Sequence, residues 1–247
     1  MSRSSCPNTQ QEVQVRIAAD AESRACVHRL REEVFINELG YEIVGSFHEA
    51  GVTAQAHSRG ALLLAEVENV PVGSMAIDWW IGCDSTSDEI KQYGLGRFLG
   101  VFTEEAIVTV RKWLVRDAFR SLKVCKALLR AAVQFVEDKP SVQFVCIDCV
   151  GELVDHYRTL GFRQYAAAFR YGAGGALCVP MCLVLDDHHW LNAIRSPLLP
   201  LLKAIGRFDN PVARACFDQI VHEWQHEEAT GKCNTVGVAC AKSSRAA

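Results

Sequence analysis

Seven basic residues, Arg111, Lys112, Arg116, Arg120, Lys123, Lys126 and Arg130, fall within a stretch that holds one acid, Asp117. Placed on a helix of 3.6 residues per turn, the last five share roughly 120° of arc, and Val124, Leu128, Leu129, Ala131 and Phe135 lie opposite. A face that meets only solvent usually mixes both signs of charge. A face with almost no acids predicts contact with a phosphate or an acidic partner, and Arg120 and Lys123 are its expected donors.

Other reactive side chains carry weaker signals. Cys146 and Cys149 have CxxC spacing, but residues three apart in a strand point to opposite faces and no second ligand pair stands at finger spacing, so no metal is expected. His188 and His189 are adjacent and share no face. The acidic pair Glu104 and Glu105 precedes a β-prone run and could deprotonate an ammonium group or position a water to do so.

The chain has 247 residues, 49% hydrophobic and 22% charged, which suits one main core with an appendage. Its formal charge of −3 argues against a general nucleic-acid binder. No apolar run reaches membrane-spanning length and the first residues lack the pattern of a signal peptide, so a cytoplasmic protein is expected. Eleven cysteines, an odd number lying mostly in apolar segments, read as reduced buried thiols.

These residues need elements to position them. Val13, Val15 and Ile17 alternate with polar residues as in a half-buried strand, and Asp20 is placed to cap a helix whose Val27, Leu30, Val34 and Leu39 form an apolar stripe up to Gly40. Ala61 to Val67 and Val72 to Trp80 predict a hairpin connected by Glu68-Asn69-Val70-Pro71. Ala106 to Val115 predicts a strand feeding a helix from Asp117 to Glu137. Then follow a strand at Val142 to Asp148, a helix from Glu152 to Leu160 stopped by Gly161, and strands at Phe162 to Phe169 and Pro180 to Asp186. Helix-prone segments at Trp190 to Ile205 and Val212 to Glu227 are broken by Pro197, Pro200 and Pro211.

Three segments carry a resemblance. Trp113 to Cys125 is similar to the strand-to-helix turn of the GCN5-related N-acetyltransferases, where backbone N–H groups and a helix N-terminus hold a pantetheine pyrophosphate. His156-Tyr157-Arg158-Thr159-Leu160-Gly161-Phe162 resembles that family's late helix, in which a tyrosine protonates the departing thiolate. Arg29 to Tyr41 resembles the opening motif of the acyl-homoserine lactone and long-chain N-acyl amino acid synthases, with Arg31 and Phe35 at the motif's arginine and phenylalanine. The run from Val179 to Asp187 with Arg195 to Leu198 is similar to the ending of the latter enzymes. The acidic pair and the Glu-x-Ser-Arg element of the lactone synthases are absent, which argues against S-adenosylmethionine.

The resemblance implies an α/β (α+β) fold with a mixed, mostly antiparallel central sheet flanked by helices. Residues 11–187 would form the acyltransferase domain and 188–228 a helical appendage, with disordered tails at 1–10 and 229–247. It implies an N-acyltransferase moving an acyl group from a phosphopantetheine thioester to an amino acid or related amine, with no tightly bound cofactor. Tyr157 would be the general acid, with Glu104 or Glu105 as base. Leu114, Val115, Arg116, Arg120, Ser121 and Lys123 would hold the donor, and Arg31 and Phe35 would line the substrate pocket. Ser121, Lys123 and Cys125 stand where the family prefers glycine, which favours an acyl carrier protein over coenzyme A. A non-catalytic module binding a carrier protein or acyl ligand is the alternative.

Overall fold

Residues 12–38, 60–79, 94–99, 101–120, 122–170 and 176–231 are described by the structure, a computed structural model. The chain divides into two compact units, residues 1–78 with 110–138, and residues 79–109 with 139–247.

The first unit is built on β1 (Val13–Ile17), β2 (Gly60–Val67), β3 (Val70–Trp79, to Asp78) and the later part of β4 (Ile107–Val115), in that order. β1 pairs with β2, and β2 with β3, both antiparallel. The hairpin turn is shorter than expected. Glu68 and Asn69 alone make it, at φ 52° and 63°, and Val70 already pairs with Val67. Two left-handed central residues match the twist of the flanking strands. Pro71 stands opposite Glu66, where the register shifts, and a bulge is where a strand tolerates a residue without an N–H. β1 lies at the edge, and Ile17, expected inside, is 53% exposed.

Asp20 caps α1 (Ala21–Glu32) as expected, its Oδ1 accepting from the Ser23 N–H at 2.7 Å. Val27, Leu30 and Val34 are buried with Leu62, Leu64, Ala76 and Leu114 in one core. Past Glu32 the helix widens into a π-helical turn, Glu33–Glu38. The position of Gly40 lies outside the described residues. α2 (Leu122–Phe135) packs on β1 and β2. A Cβ on Gly73 of β3 would come within 3.3 Å of Val124 and Leu128, so glycine lets the helix approach.

In the second unit the start of β4 is followed in the sheet by β5 (Phe144–Val150), β8 (Leu177–Val184) and β6 (Arg163–Gln164), with β7 (Phe169–Arg170) beside β8. β5, β6 and β7 all run antiparallel to β8. The expected single strand from Phe162 to Phe169 is thus two short ones. α3 (Val154–Leu160) ends as predicted at Gly161, whose φ of 117° suits glycine and whose Cβ would meet Leu191 at 2.5 Å.

The residues after Asp187 are more than an appendage. α4 (His188–Ala193), α5 (Leu199–Ala204) and α6 (Pro211–Ala229) follow, and Ala213, Cys216, Phe217 and Ile220 of α6 are buried with Phe98, Phe144, Cys146, Tyr165 and Val184. Trp190 Nε1 donates to Gly161 O at 3.0 Å and Ser196 Oγ to Leu160 O at 2.6 Å. Arg207 Nε and Nη2 donate to the two carboxylate oxygens of Asp186 at 2.7 and 2.8 Å. These helices complete the core of their unit. No helix among the described residues is long and apolar enough to cross a membrane.

Candidate functional site

On the first unit, chemistry gathers where β4 ends. Lys112 has φ 49° in mid-strand, a left-handed conformation that a lysine adopts at a cost of roughly 1–2 kcal/mol. Leu114 and Val115 are buried, and the Arg116 N–H donates to Val72 O at 2.9 Å. The chain then makes one 3₁₀ turn, Asp117–Phe119, before α2 starts at Leu122.

That turn corrects the expected cationic stripe. Arg116 and Arg120 precede the helix and face acids from the π-helical turn. Arg116 Nη2 is bonded to the Glu33 carboxylate. Glu38 Oε2 accepts from the Asp117 N–H at 2.9 Å and from Arg120 Nη2 at 3.2 Å. Arg120 also donates to Val115 O at 3.2 Å and to Asp117 Oδ1 at 2.8 Å. Residues five apart on an α-helix diverge by roughly 140°. An i→i+5 turn brings them back to one face, so Glu33 and Glu38 both reach the end of β4. The cations exposed on the helix are Lys123, Lys126 and Arg130. Ser121 lies outside the described residues.

Arg31 sits elsewhere in this unit. It is 2% exposed, its Nε lies 3.3 Å from Ser74 Oγ, and Nη1 and Nη2 have no hydrogen-bond partner among the described residues. Burial pushes its pKa down to about 10, against the opposing pull of Asp78. Arg111 Nε lies 3.9 Å from Asp78 Oδ2. Phe35 is half-buried against the core formed by Leu30, Val34 and their neighbours, which is a packing position. Glu33, Glu38, Ser74 and Asp78 were not marked out by the sequence. The only signal was the spacing of the two glutamates, and it reads as two different faces until the π-helical turn is known.

On the second unit, Tyr157 lies on α3 and is buried, its ring edge-on to Phe162 at 5.5 Å with an interplanar angle of 79°. The Phe162 N–H returns to Tyr157 O at 3.1 Å, so the Gly161 stop fixes both rings. Glu104 and Glu105 form the 3₁₀ turn before β4, with Glu105 exposed and Glu104 half-buried. Cys146 and Cys182 are direct partners across β5 and β8, and both are fully buried.

Neither a protein-family model nor a curated protein matches this sequence. Solved structures do. FeeM, an N-acyl amino acid synthase from uncultured soil microbes, is 16% identical and superposes with a TM-score of 0.60 over 78% of this chain and 98% of its own. BjaI, a CoA-dependent acyl-homoserine lactone synthase, is 14% identical in its complex with MTA, with a TM-score of 0.54 over 79% of this chain and 98% of its own. The chain has the GCN5-related N-acyltransferase fold. The expected class, a mixed and mostly antiparallel sheet flanked by helices, is the class observed, and the acyltransferase fold extends over 78–79% of the chain.

Proposed function

We propose that the chain is an N-acyltransferase that moves an acyl group from a phosphopantetheine thioester to the amine of an amino acid or related small molecule. The observation that carries this reading is the fold likeness over 98% of an N-acyl amino acid synthase. The neutral amine attacks the thioester carbonyl, the C–S bond breaks, and the products are an amide and a thiol. A backbone N–H near Leu114 or Val115 would polarise the carbonyl. Tyr157 would give its proton to the leaving sulfur, and Glu104 or Glu105 would receive the ammonium proton, directly or through water. No step needs a tightly bound cofactor.

The donor is proposed to be a cytoplasmic acyl carrier protein. Lys123, Lys126 and Arg130 are spaced three and four apart, on one face of α2, and extend over roughly 10 Å at 1.5 Å per residue. A row of exposed cations with Arg116 and Arg120 already engaged by acids suits an acidic protein surface better than one phosphate. Lys123 and Cys125 add side chains near the helix start, where a pyrophosphate would need close backbone approach.

Two measurements test the reading. Free thiol released from acyl-pantetheine thioesters in the presence of an amino acid pool tests acyl transfer, and no release with any donor sinks it. The specificity constant for one acyl group on coenzyme A, on bare pantetheine and on a holo carrier protein tests the donor. Coenzyme A matching the carrier would overturn the carrier proposal alone.

A further inference from the structure

A guanidinium carries five N–H donors in a planar fork. In Arg31 one of its nitrogens, Nε, has a partner, Ser74 Oγ at the long distance of 3.3 Å. Nη1 and Nη2 are shielded from solvent and bonded to nothing among the described residues. Buried cations are normally paired, because an unpaired one forfeits its hydration without return. Among the described residues, the acid that acts on the fork is Asp78. Ser74, Ala76 and Asp78 alternate along β3 and so share one face, and Asp78 already stands 3.9 Å from a second arginine, Arg111.

We infer that Arg31 and Ser74 form the subsite for the carboxylate of the acceptor amine, which makes the acceptor an amino acid and not a simple amine. A carboxylate offers two acceptor oxygens in the spacing of the Nη1 and Nη2 donors, and that bidentate pairing is the geometry arginine serves best. Ser74 Oγ, fully buried, accepts from Arg31 Nε and has its own proton to give to a carboxylate oxygen. A phosphate has the same charge preference, but the resemblance gives the donor's phosphate to the turn between β4 and α2. This deepens the proposed acyl transfer and rests on it for the identity of the ligand.

The test separates the site from the reaction. Calorimetric titration with an N-acyl amino acid and with the corresponding N-acyl amino acid amide needs no turnover. The wild-type protein should bind the acid roughly 100-fold more tightly, as expected for two charge-assisted hydrogen bonds. Arg31→Met should bring the two ligands to near equality, and Arg31→Lys should restore part of the preference as a point charge. The melting temperature of Arg31→Met should be no lower than that of the wild type, since methionine removes a buried charge whose Nη donors no described residue satisfies; a large loss would mark Arg31 as a structural residue and overturn the assignment. Arg31→Gln, tested for folding by circular dichroism, serves if the methionine variant aggregates. Equal binding of acid and amide by the wild type, or a preference that survives in Arg31→Met, overturns the site. Thiol release without the preference removes the site and leaves acyl transfer standing, whereas the preference without thiol release from any thioester supports the site and removes the reaction.

Discussion

Glu38 Oε2 lies 3.2 Å from Arg120 Nη2 and also accepts the Asp117 N–H at 2.9 Å, so one carboxylate occupies the turn that the proposed function gives to an anionic donor. The side chains are partly exposed, and the pair is therefore worth little to stability, but it decides how much positive charge the turn presents. Glu38→Gln should tighten binding of an anionic donor roughly threefold to tenfold at low ionic strength, an effect that salt removes. Lys123→Glu with Lys126→Glu should weaken it under the same conditions. Donor titrations at two salt concentrations check both. No change in either variant would show that neither the turn nor α2 meets the donor.

The legible parts of the fold were those set by local chemistry. Asp20 has a cap's side chain just before an apolar stripe, Gly161 is needed at a left-handed position, and the β2–β3 alternation requires a turn between the strands. The illegible parts depend on partners far away in sequence. Periodicity extended α2 back to Asp117, because nothing local shows that Arg116 and Arg120 are drawn to Glu33 and Glu38 more than 80 positions earlier. The same limit hid the second unit's use of α6. Its apolar residues read as a separate amphipathic helix until Phe217 is seen within 4.5 Å of Arg163 and in one core with Phe144.

Arg207 and Asp186 are one such distant pair, and their geometry makes a stability prediction. Both are buried. The arginine donates to both carboxylate oxygens and to Val142 O, with longer bonds to the carbonyls of Lys139 and Pro140. Burial raises the pKa of Asp186 and Arg207 opposes the rise. Arg207→Ala removes the opposing charge and takes from the Val142 carbonyl its guanidinium donor, so it should destabilise the fold by about 3–5 kcal/mol. Arg207→Met with Asp186→Leu should recover part of that loss. Urea unfolding of the three proteins is the measurement, and a loss below about 1 kcal/mol for Arg207→Ala would contradict the pairing's role.

Two buried thiols give the protein an alkaline limit. Burial, with Asp148 adding to it, pushes Cys149 up to about 11 and Cys178 up to about 12, from an ordinary value of 9.0. Above pH 9 the unfolded chain releases protons that the folded chain retains. The stabilisation is whole below pH 9 and is lost as the pH rises through 11 to 12. The urea midpoint should therefore fall across that window, and Cys178→Ala should make the fall shallower. A midpoint that stays level to pH 11 in the wild type would show that these thiols ionise without hindrance.

Tyr157 allows a substitution that separates its hydroxyl from its ring. The ring is buried and meets Phe162 edge-on, and the backbone around it is closed by the Phe162 N–H on Tyr157 O, so the aromatic body holds the end of α3. Tyr157→Phe keeps that contact and deletes one oxygen. If the phenol protonates the leaving thiolate, the variant should lose roughly 10² or more in kcat, with donor binding and melting temperature close to the wild type. The alkaline limb of the rate profile should disappear with it, since the group that must stay protonated is gone. A merely structural tyrosine would show the reverse pattern, with a shifted melting temperature and an unchanged profile. Thiols of differing acidity as leaving groups sharpen the comparison: the better the thiolate leaves unaided, the smaller the loss in Tyr157→Phe, and an equal loss for every leaving group would place Tyr157 outside the proton transfer.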